Sequence, residues 1–341
     1  MRTTLAEAVE LFIARTRHTK TGSGHTERAY RADLRRYEAF LKRRRKRYAD
    51  VVRRDAQLYL SRLSTEYKPR TVRRRISTCR SFYRFLRGIE LAAANPFDAL
   101  DLPSYDRRSE THKVLTDDEH ERVLTLLRQD VTEANRAFAA AERGRPKQRA
   151  FARLFTAARR RAALSLMGLG GLRCAEILNL TGESIIERGD GFYLAFSGKG
   201  SKVRTVPLVG FAYPALWDWL AVRRHVPLAT DRVLVTMTGR PVRETQVRRD
   251  CLALGDRAGT RHPITPHVLR RTFATRTHRA SGDLRAVQDL LGHASISTTE
   301  IYTHIEEEGL RAVVEGTGFG AGEHDHGPIV GATARQSALT T

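Results

Sequence analysis

Three cysteines in 341 residues, Cys79, Cys174 and Cys251, are too few and too scattered for a disulfide scaffold, and no CxxC pair offers a zinc site. That scarcity points to a reducing compartment, with the thiols serving as small core residues. Long apolar runs are also missing: none approaches the ~18 residues of a membrane helix. The opening MRTTLAEAVELF carries acids where a signal peptide has its apolar stretch, and no strongly apolar helix face bears Trp or Phe anchors. A membrane partner is therefore not expected, and a cytoplasmic protein is. Acidic residues are the third shortage. Asp and Glu number 38 against 60 Lys and Arg, a formal charge of +22. The excess runs along the whole chain and is not confined to a tail. Basic side chains laid on phosphates release counterions, so a polyanion, nucleic acid first, is the expected partner.

A chain of 341 residues exceeds one typical domain, and two are expected. Residues 1–103 read as a small all-helical domain. Leu5, Val9, Phe12 and Ile13 share one side of a helix over 4–17, and HTKTGSGH at 18–25 is a turn. Tyr30, Leu34, Tyr37 and Leu41 mark a second helix from Thr26, running into the basic stretch 42–47, and a third covers about Arg53 to Leu63. After Pro69 a fourth carries the stripe Val72, Ile76, Cys79, Tyr83 and Leu86. Its other face holds Arg70, Arg73, Arg74, Arg80, Arg84 and Arg87. Such a run is usually a solvated face. Here no acid interleaves to form i,i+4 pairs, so the arginines repel one another unless an anion lies on them, and a phosphate-contacting face is predicted. Residues 104–111 form an extended linker.

The second domain, 112–315, opens on a capping box at Thr116 to Glu119 that starts a helix to about Arg128. Residues 129–150 read as an inserted helical or mobile segment. A helix from Phe151 ends at the glycine-rich stop 168–171, and Arg173 and Glu176 head the next one. Two strand signals, 191–196 and 203–208, flank the turn SGKGSK, which lifts Lys199 and Lys202 off a small sheet. The GxxxxGK[ST] spacing of a Walker loop is absent. Helices are expected at 211–223 and 243–258, a short one at 306–314, and a disordered tail at 316–341.

The chain's chemistry concentrates between Thr265 and His304. Thr265 can cap a helix with Pro266 in its first turn, which puts His267 and Arg270 three apart on one face, able to reach one phosphate at the helix N-terminus. The positive helix end disfavours a charged imidazole and keeps His267 neutral. Gly292-His293 then precedes STTE, a capping box that places Tyr302 in the first turns of another helix. A phenol with a pKa of about 10 is a poor nucleophile until a base or cations activate it. Taken singly, His267 and His293 read as structural histidines and Tyr302 as a half-buried aromatic. Taken with Arg173, Lys199 and Arg270, and with no acidic cluster nearby, they describe phosphoryl transfer without metal or other cofactor. The arginines would bind non-bridging oxygens and stabilise charge that a carboxylate-bound Mg²⁺ would otherwise offset.

GLRCAEILNL at 171–180, GKGSKVRTVPL at 198–208, HVLRRTFAT at 267–275 and LGHASISTTEIYTH at 291–304 together resemble the tyrosine recombinase (phage integrase, Xer-like) family. The resemblance spans about residues 4–315. It implies a mainly α fold: a helical, SAM-like core-binding domain and a mostly helical α+β catalytic domain with a small antiparallel sheet, closing as a clamp around double-stranded DNA. It further implies that Tyr302 attacks the scissile phosphate to give a 3′-phosphotyrosine, that Arg173 and Arg270 clamp the phosphate, and that Lys199 protonates the leaving 5′-oxygen, with Lys202 the substitute. His267 would serve acid/base transfer on the tyrosine and His293 would hydrogen-bond the phosphate. Glu176 would orient Arg173 or a neighbouring side chain. No ATP is implied, because the covalent bond conserves the phosphodiester energy.

Two departures from the family stand out. The segment 129–150 is longer than usual, and core-binding helices that begin almost at Met1 leave no room for an arm-binding extension, which predicts a two-domain enzyme. The segment 306–314 resembles the helix that family members dock on a neighbour, implying a homo-tetramer on two DNA sites, monomeric or dimeric when free, and nucleoid-associated in the cell. A type IB topoisomerase-like enzyme shares the chemistry, but the two-domain layout fits it less well. A non-catalytic DNA-binding protein would need only the charge, leaving Tyr302 and its partners unexplained.

Overall fold

The computed structural model describes residues 3–18, 24–104, 113–188, 191–197 and 203–292, with 313, 314 and 316. The chain divides into two compact units, Met1–Glu110 and Thr111–Thr341.

The first unit contains α1 (Leu5–His18), α2 (Gly24–Arg43), α3 (Arg53–Glu66) and α4 (Pro69–Gly88). Every residue of the α4 stripe, Val72, Ile76, Cys79, Tyr83 and Leu86, is buried, as are Leu34, Tyr37 and Leu41 of α2. Aromatic rings fill the space between these stripes, with Tyr37 against Tyr59 at 5.1 Å and Phe97 at 5.6 Å. Buried phenols need partners for their hydroxyls. Tyr83 donates to the Tyr48 carbonyl at 2.8 Å and shares a second 2.8 Å hydrogen bond with the Tyr37 hydroxyl.

The arginine face of α4 differs from its sequence reading. An acid does serve it, but from another helix: Asp33 of α2, 2% exposed, takes both arms of Arg74 and accepts from Thr78 at 3.0 Å. Arg80 donates to the Phe97 carbonyl at 3.0 Å and Arg73 to that of Pro103 at 3.3 Å. Arg73, Arg74 and Arg80 therefore tie parts of the unit together. Arg70, Arg84 and Arg87 are exposed.

The second unit contains α5 (Asp117–Ala140), α6 (Arg145–Gly168), α7 (Cys174–Asn179), β1 (Ile185–Arg188), β2 (Gly191–Ser197), β3 (Val203–Leu208), α8 (Ala212–Arg223), α9 (Glu244–Arg257), α10 (Pro266–Ser281) and α11 (Leu284–Leu291). Residues 129–150 are not a separate insertion. The first helix continues through them to Ala140 because no breaker intervenes and Val131 and Ala134 prolong its buried stripe; Gly144, at φ 92, then starts α6. That helix is the hub, packed against α5, α7, α8, α9 and α10. Its basic turn is neutralised internally, with Arg161 on Asp218 at 2.5 Å and Arg159 and Arg160 on buried Asp250 at 3.7 and 3.5 Å.

The three strands form an antiparallel sheet in the order β1-β2-β3, with Leu194 opposite Val206 and Phe196 opposite Arg204. Alternation places Phe192, Leu194, Val206 and Leu208, each at most 2% exposed, on one core-facing side. Among the described residues no helix is long and apolar enough to cross a membrane.

One packing feature predicts pH behaviour. His120 on α5 is 2% exposed, and burial together with Arg276 lowers its pKa from 6.5 to about 4, against a smaller opposing pull from Asp117. The unfolded chain takes up this proton near 6.5 while the fold resists it to about 4, so stability is whole above pH 6.5 and is lost as pH falls through that window. The full effect is about 3 kcal/mol. Glu119 and Glu176, whose carboxyls are held low, contribute stability that is whole above their unfolded value of 4.5 and is lost only as pH falls below it. His120→Gln should accordingly flatten the decline in melting temperature between pH 6.5 and 4.5, measured beside the parent protein.

Candidate active site

The site begins where α6 stops. Leu169 donates back to the Ser165 carbonyl at 2.8 Å, and the chain turns through Gly171 at φ 64. A Cβ on Gly171 would lie 2.4 Å from the Phe273 ring, so only glycine fits this turn. The turn exposes the Gly171 carbonyl and sets Arg173 at the N-cap of α7.

From there Arg173 closes a local ring. Its backbone N–H and one guanidinium nitrogen each donate to Glu176 at 2.7 Å, and its other terminal nitrogen reaches the Gly292 carbonyl at 3.1 Å. Its side chain remains 42% exposed. Arg270, in the first turns of α10, is buried. It donates to the Gly171 carbonyl and, at 2.6 Å, to that of Leu291, and lies 3.7 Å from Glu176. Leu291 and Gly292 are the carbonyl end of α11, where Gly292 at φ 61 forms the cap. A helix C-terminus carries partial negative charge and open carbonyls, so guanidinium groups gather there.

A third arginine completes the cluster. Arg204 grips Glu176 with both arms, at 3.1 and 3.3 Å, and donates to the Leu291 carbonyl at 2.8 Å. The lysines of the neighbouring turn are the more conspicuous cations in the sequence, and Arg204 is not among the residues expected at the site. The signal was present in strand alternation: if Val206 and Leu208 face the core, so does Arg204. An arginine on the apolar face of a strand needs a partner.

Glu176 thus touches Arg173, Arg204 and Arg270. Burial pushes its carboxyl up, but Arg204 and Arg173 outweigh that and hold it below the usual carboxylate range. Burial lowers Arg270, with Arg173 adding to the effect, to about 10, which leaves it charged at neutral pH. Three guanidiniums face one carboxylate, so positive charge is in excess and an anion would complete the cluster.

His267 sits one turn ahead of Arg270 and is exposed. Its pKa is lowered, first by partial loss of hydration and then by Arg271, Arg270 and Arg248. The neutral imidazole expected from the helix terminus therefore has a further cause in neighbouring arginines. Thr265 caps α10, accepting from the Val268 N–H at 3.3 Å. Lys199, Lys202, His293 and Tyr302 lie outside the described residues, as do 306–312 of the expected last helix.

The sequence profile of the phage integrase family matches residues 131–308, and that of the phage integrase N-terminal SAM-like domain matches 9–88. The tyrosine recombinase XerD of Rhizobium meliloti (strain 1021) is 32% identical over 315 residues, covering 91% of this chain and 94% of its own. The chain belongs to the phage integrase family. As a Xer-like tyrosine recombinase it is also similar to XerC of Staphylococcus aureus (strain MSSA476), at 29% identity over 306 residues, covering 89% of this chain and 94% of the relative. In fold it matches the XerH site-specific recombinase bound to palindromic difH substrate in a post-cleavage complex, at TM-score 0.63 and 17% identity, covering 92% of this chain and 82% of that one. A lambda integrase(75-356) dimer bound to a COC′ core site matches at TM-score 0.58 and 17% identity, over 86% of this chain and 93% of that one. For a tyrosine recombinase, the Arg173–Arg204–Arg270 cluster lies on the motifs that carry the family likeness.

Proposed function

We propose that this recombinase exchanges DNA strands at specific sites through a 3′-phosphotyrosine on Tyr302. The observation that supports it is the gathering of Arg173, Arg204 and Arg270 around Glu176 and the end of α11, a cationic cluster with Arg173 open to a ligand. The phenolic oxygen of Tyr302 forms a bond to phosphorus as the bond to the 5′-oxygen breaks. The phenol's proton passes to His267, held neutral by its surroundings. Lys199 supplies a proton to the leaving 5′-oxygen, with Lys202 in reserve, and His293 hydrogen-bonds the phosphate. Arg173 and Arg270 offset charge on the pentacoordinate phosphorus, and the reverse steps rejoin the strand to a new 5′-hydroxyl without ATP.

Double-stranded DNA is the partner. Phosphate contacts in the first unit fall chiefly to Arg70, Arg84 and the outer part of Arg74, which is 49% exposed despite its pairing with Asp33. Arg73 and Arg80 contribute what their carbonyl contacts leave open. The working assembly is a tetramer on two sites, and the place of work is the nucleoid in the cytoplasm. The likeness to XerD over nearly the whole chain favours this reading over a topoisomerase-like one.

A library of duplexes nicked a few bases from each candidate cut tests the reading, because the short fragment bearing the 5′-hydroxyl diffuses away and traps the adduct. Covalent adducts should form undiminished in EDTA. Binding before cleavage should weaken by about 10³ or more between 50 and 200 mM salt, as expected for several phosphate contacts. A strict need for divalent metal, or a flat salt response, would overturn it.

A further inference from the structure

We infer that Arg204 is a positioning residue for strand cleavage, locking the two phosphate-facing arginines and the end of α11 into one rigid unit. The inference rests on the phosphoryl-transfer reading above and adds to it a residue with no contact to DNA.

Arg204 occupies the junction of three elements. It rises from β3 on the core-facing side, opposite Phe196, and its guanidinium lies 5.3 Å from the centre of that ring. Both arms hold Glu176 of α7, and the first also holds the Leu291 carbonyl of α11. Arg173 shares Glu176 with it, and Arg270 shares the Leu291 carbonyl. Each of the other two arginines therefore has one of its anchors in common with Arg204, Arg173 through Glu176 and Arg270 through the Leu291 carbonyl. Its side chain is 15% exposed against 42% for Arg173, so Arg173 can meet a phosphate while Arg204 braces from behind.

Gly292 shows how closely this brace is fitted. A Cβ there would lie 2.1 Å from one Arg204 terminal nitrogen and 2.8 Å from its Cδ. The arginine lies flush on the backbone at the residue just before His293. Without it, Glu176 would be left to Arg173 and Arg270 alone, and a carboxylate drawn toward Arg270 would turn that guanidinium off its carbonyls. The planar fork is what spans Glu176 and Leu291 together; a lysine ammonium, a point charge on a flexible stem, serves one or the other.

Single-turnover cleavage by Arg204→Lys and Arg204→Ala, with Arg173→Ala as reference, tests this on two nicked duplexes. One carries the ordinary scissile phosphate; the other carries a methylphosphonate there, which has lost the non-bridging charge the arginines offset. Both Arg204 variants should bind DNA like the parent protein; Arg204→Ala should melt lower, because it takes donors from Glu176 and the Leu291 carbonyl, and Arg204→Lys closer to the parent. On the phosphodiester they should cleave about 10–100-fold more slowly, the loss typical when a group orienting a functional ligand is removed. On the methylphosphonate the defect should largely vanish, as it should for Arg173→Ala. An equal loss on both substrates, or unimpaired cleavage of the phosphodiester, overturns the inference. If Arg204→Ala does not fold, Arg204→Lys decides by the same criteria. Failure of the parent protein to break any duplex overturns the recombinase reading and this inference together, whereas a cleaving parent with unaffected variants overturns the inference alone.

Discussion

Tyr302→Phe is expected to eliminate covalent protein–DNA adducts while leaving DNA affinity nearly unchanged. The substitution removes one oxygen and keeps the ring, so packing around the side chain changes little. Affinity for a polyanion is spread over many Lys and Arg contacts, of which a tyrosine hydroxyl is at most one. Cleavage is different in kind, because in the proposed mechanism that oxygen makes the bond to phosphorus, and a phenyl ring offers no nucleophile in its place. Gel shift on an intact duplex and denaturing electrophoresis of a nicked one separate the two effects in a single preparation. Adducts that persist in the variant would take Tyr302 out of its role.

Arg270→Ala should slow cleavage by about 10²–10³, the usual loss when one fixed donor to a developing charge is removed. It should also destabilise the second unit. Arg270 is buried and donates to the carbonyls of Gly171 and Leu291; the Leu291 carbonyl keeps Arg204 as a donor, so the main cost is the loss at Gly171, about 1–3 kcal/mol. Arg173→Ala gives the contrast. Its side chain is 42% exposed, so it should show a similar loss of rate with a smaller fall in melting temperature. Comparing the two variants by melting temperature and by single-turnover rate separates a catalytic from a structural contribution. Rates that fall only in proportion to stability would deny both arginines their role at phosphate.

Much of the fold is legible in the sequence. Periodic stripes marked α2 and α4 because a helix must bury one face, and the Thr265-Pro266 signal placed the start of α10 because its cap chemistry is local. Elements without strong local signals were harder. Ala-rich residues 129–140 looked like an insertion, yet helix propagation needs only the absence of a breaker and a continued stripe. β1 and α11 escaped notice: the strand is four residues long, and the helix is eight residues between Asp283 and Gly292.

The site divides the same way. Motifs named Arg173, Glu176 and Arg270, but their meeting at the carbonyl end of α11 is tertiary, and local pattern cannot report it. Local sequence shows no acid for the α4 arginines because Asp33 stands on a different helix. Arg204 is the exception, since period-two alternation along β3 already turns it inward.

The most direct measurement is the identity of the protein–DNA bond. Protein trapped on a nicked duplex is digested with protease and nuclease, and the surviving nucleotide-bearing peptide is sequenced by mass spectrometry. The account predicts one linkage, from the Tyr302 oxygen to a 3′-phosphate, with a free 5′-hydroxyl on the released strand. A nucleotide on any other residue, or a 5′-phosphate linkage, would contradict it.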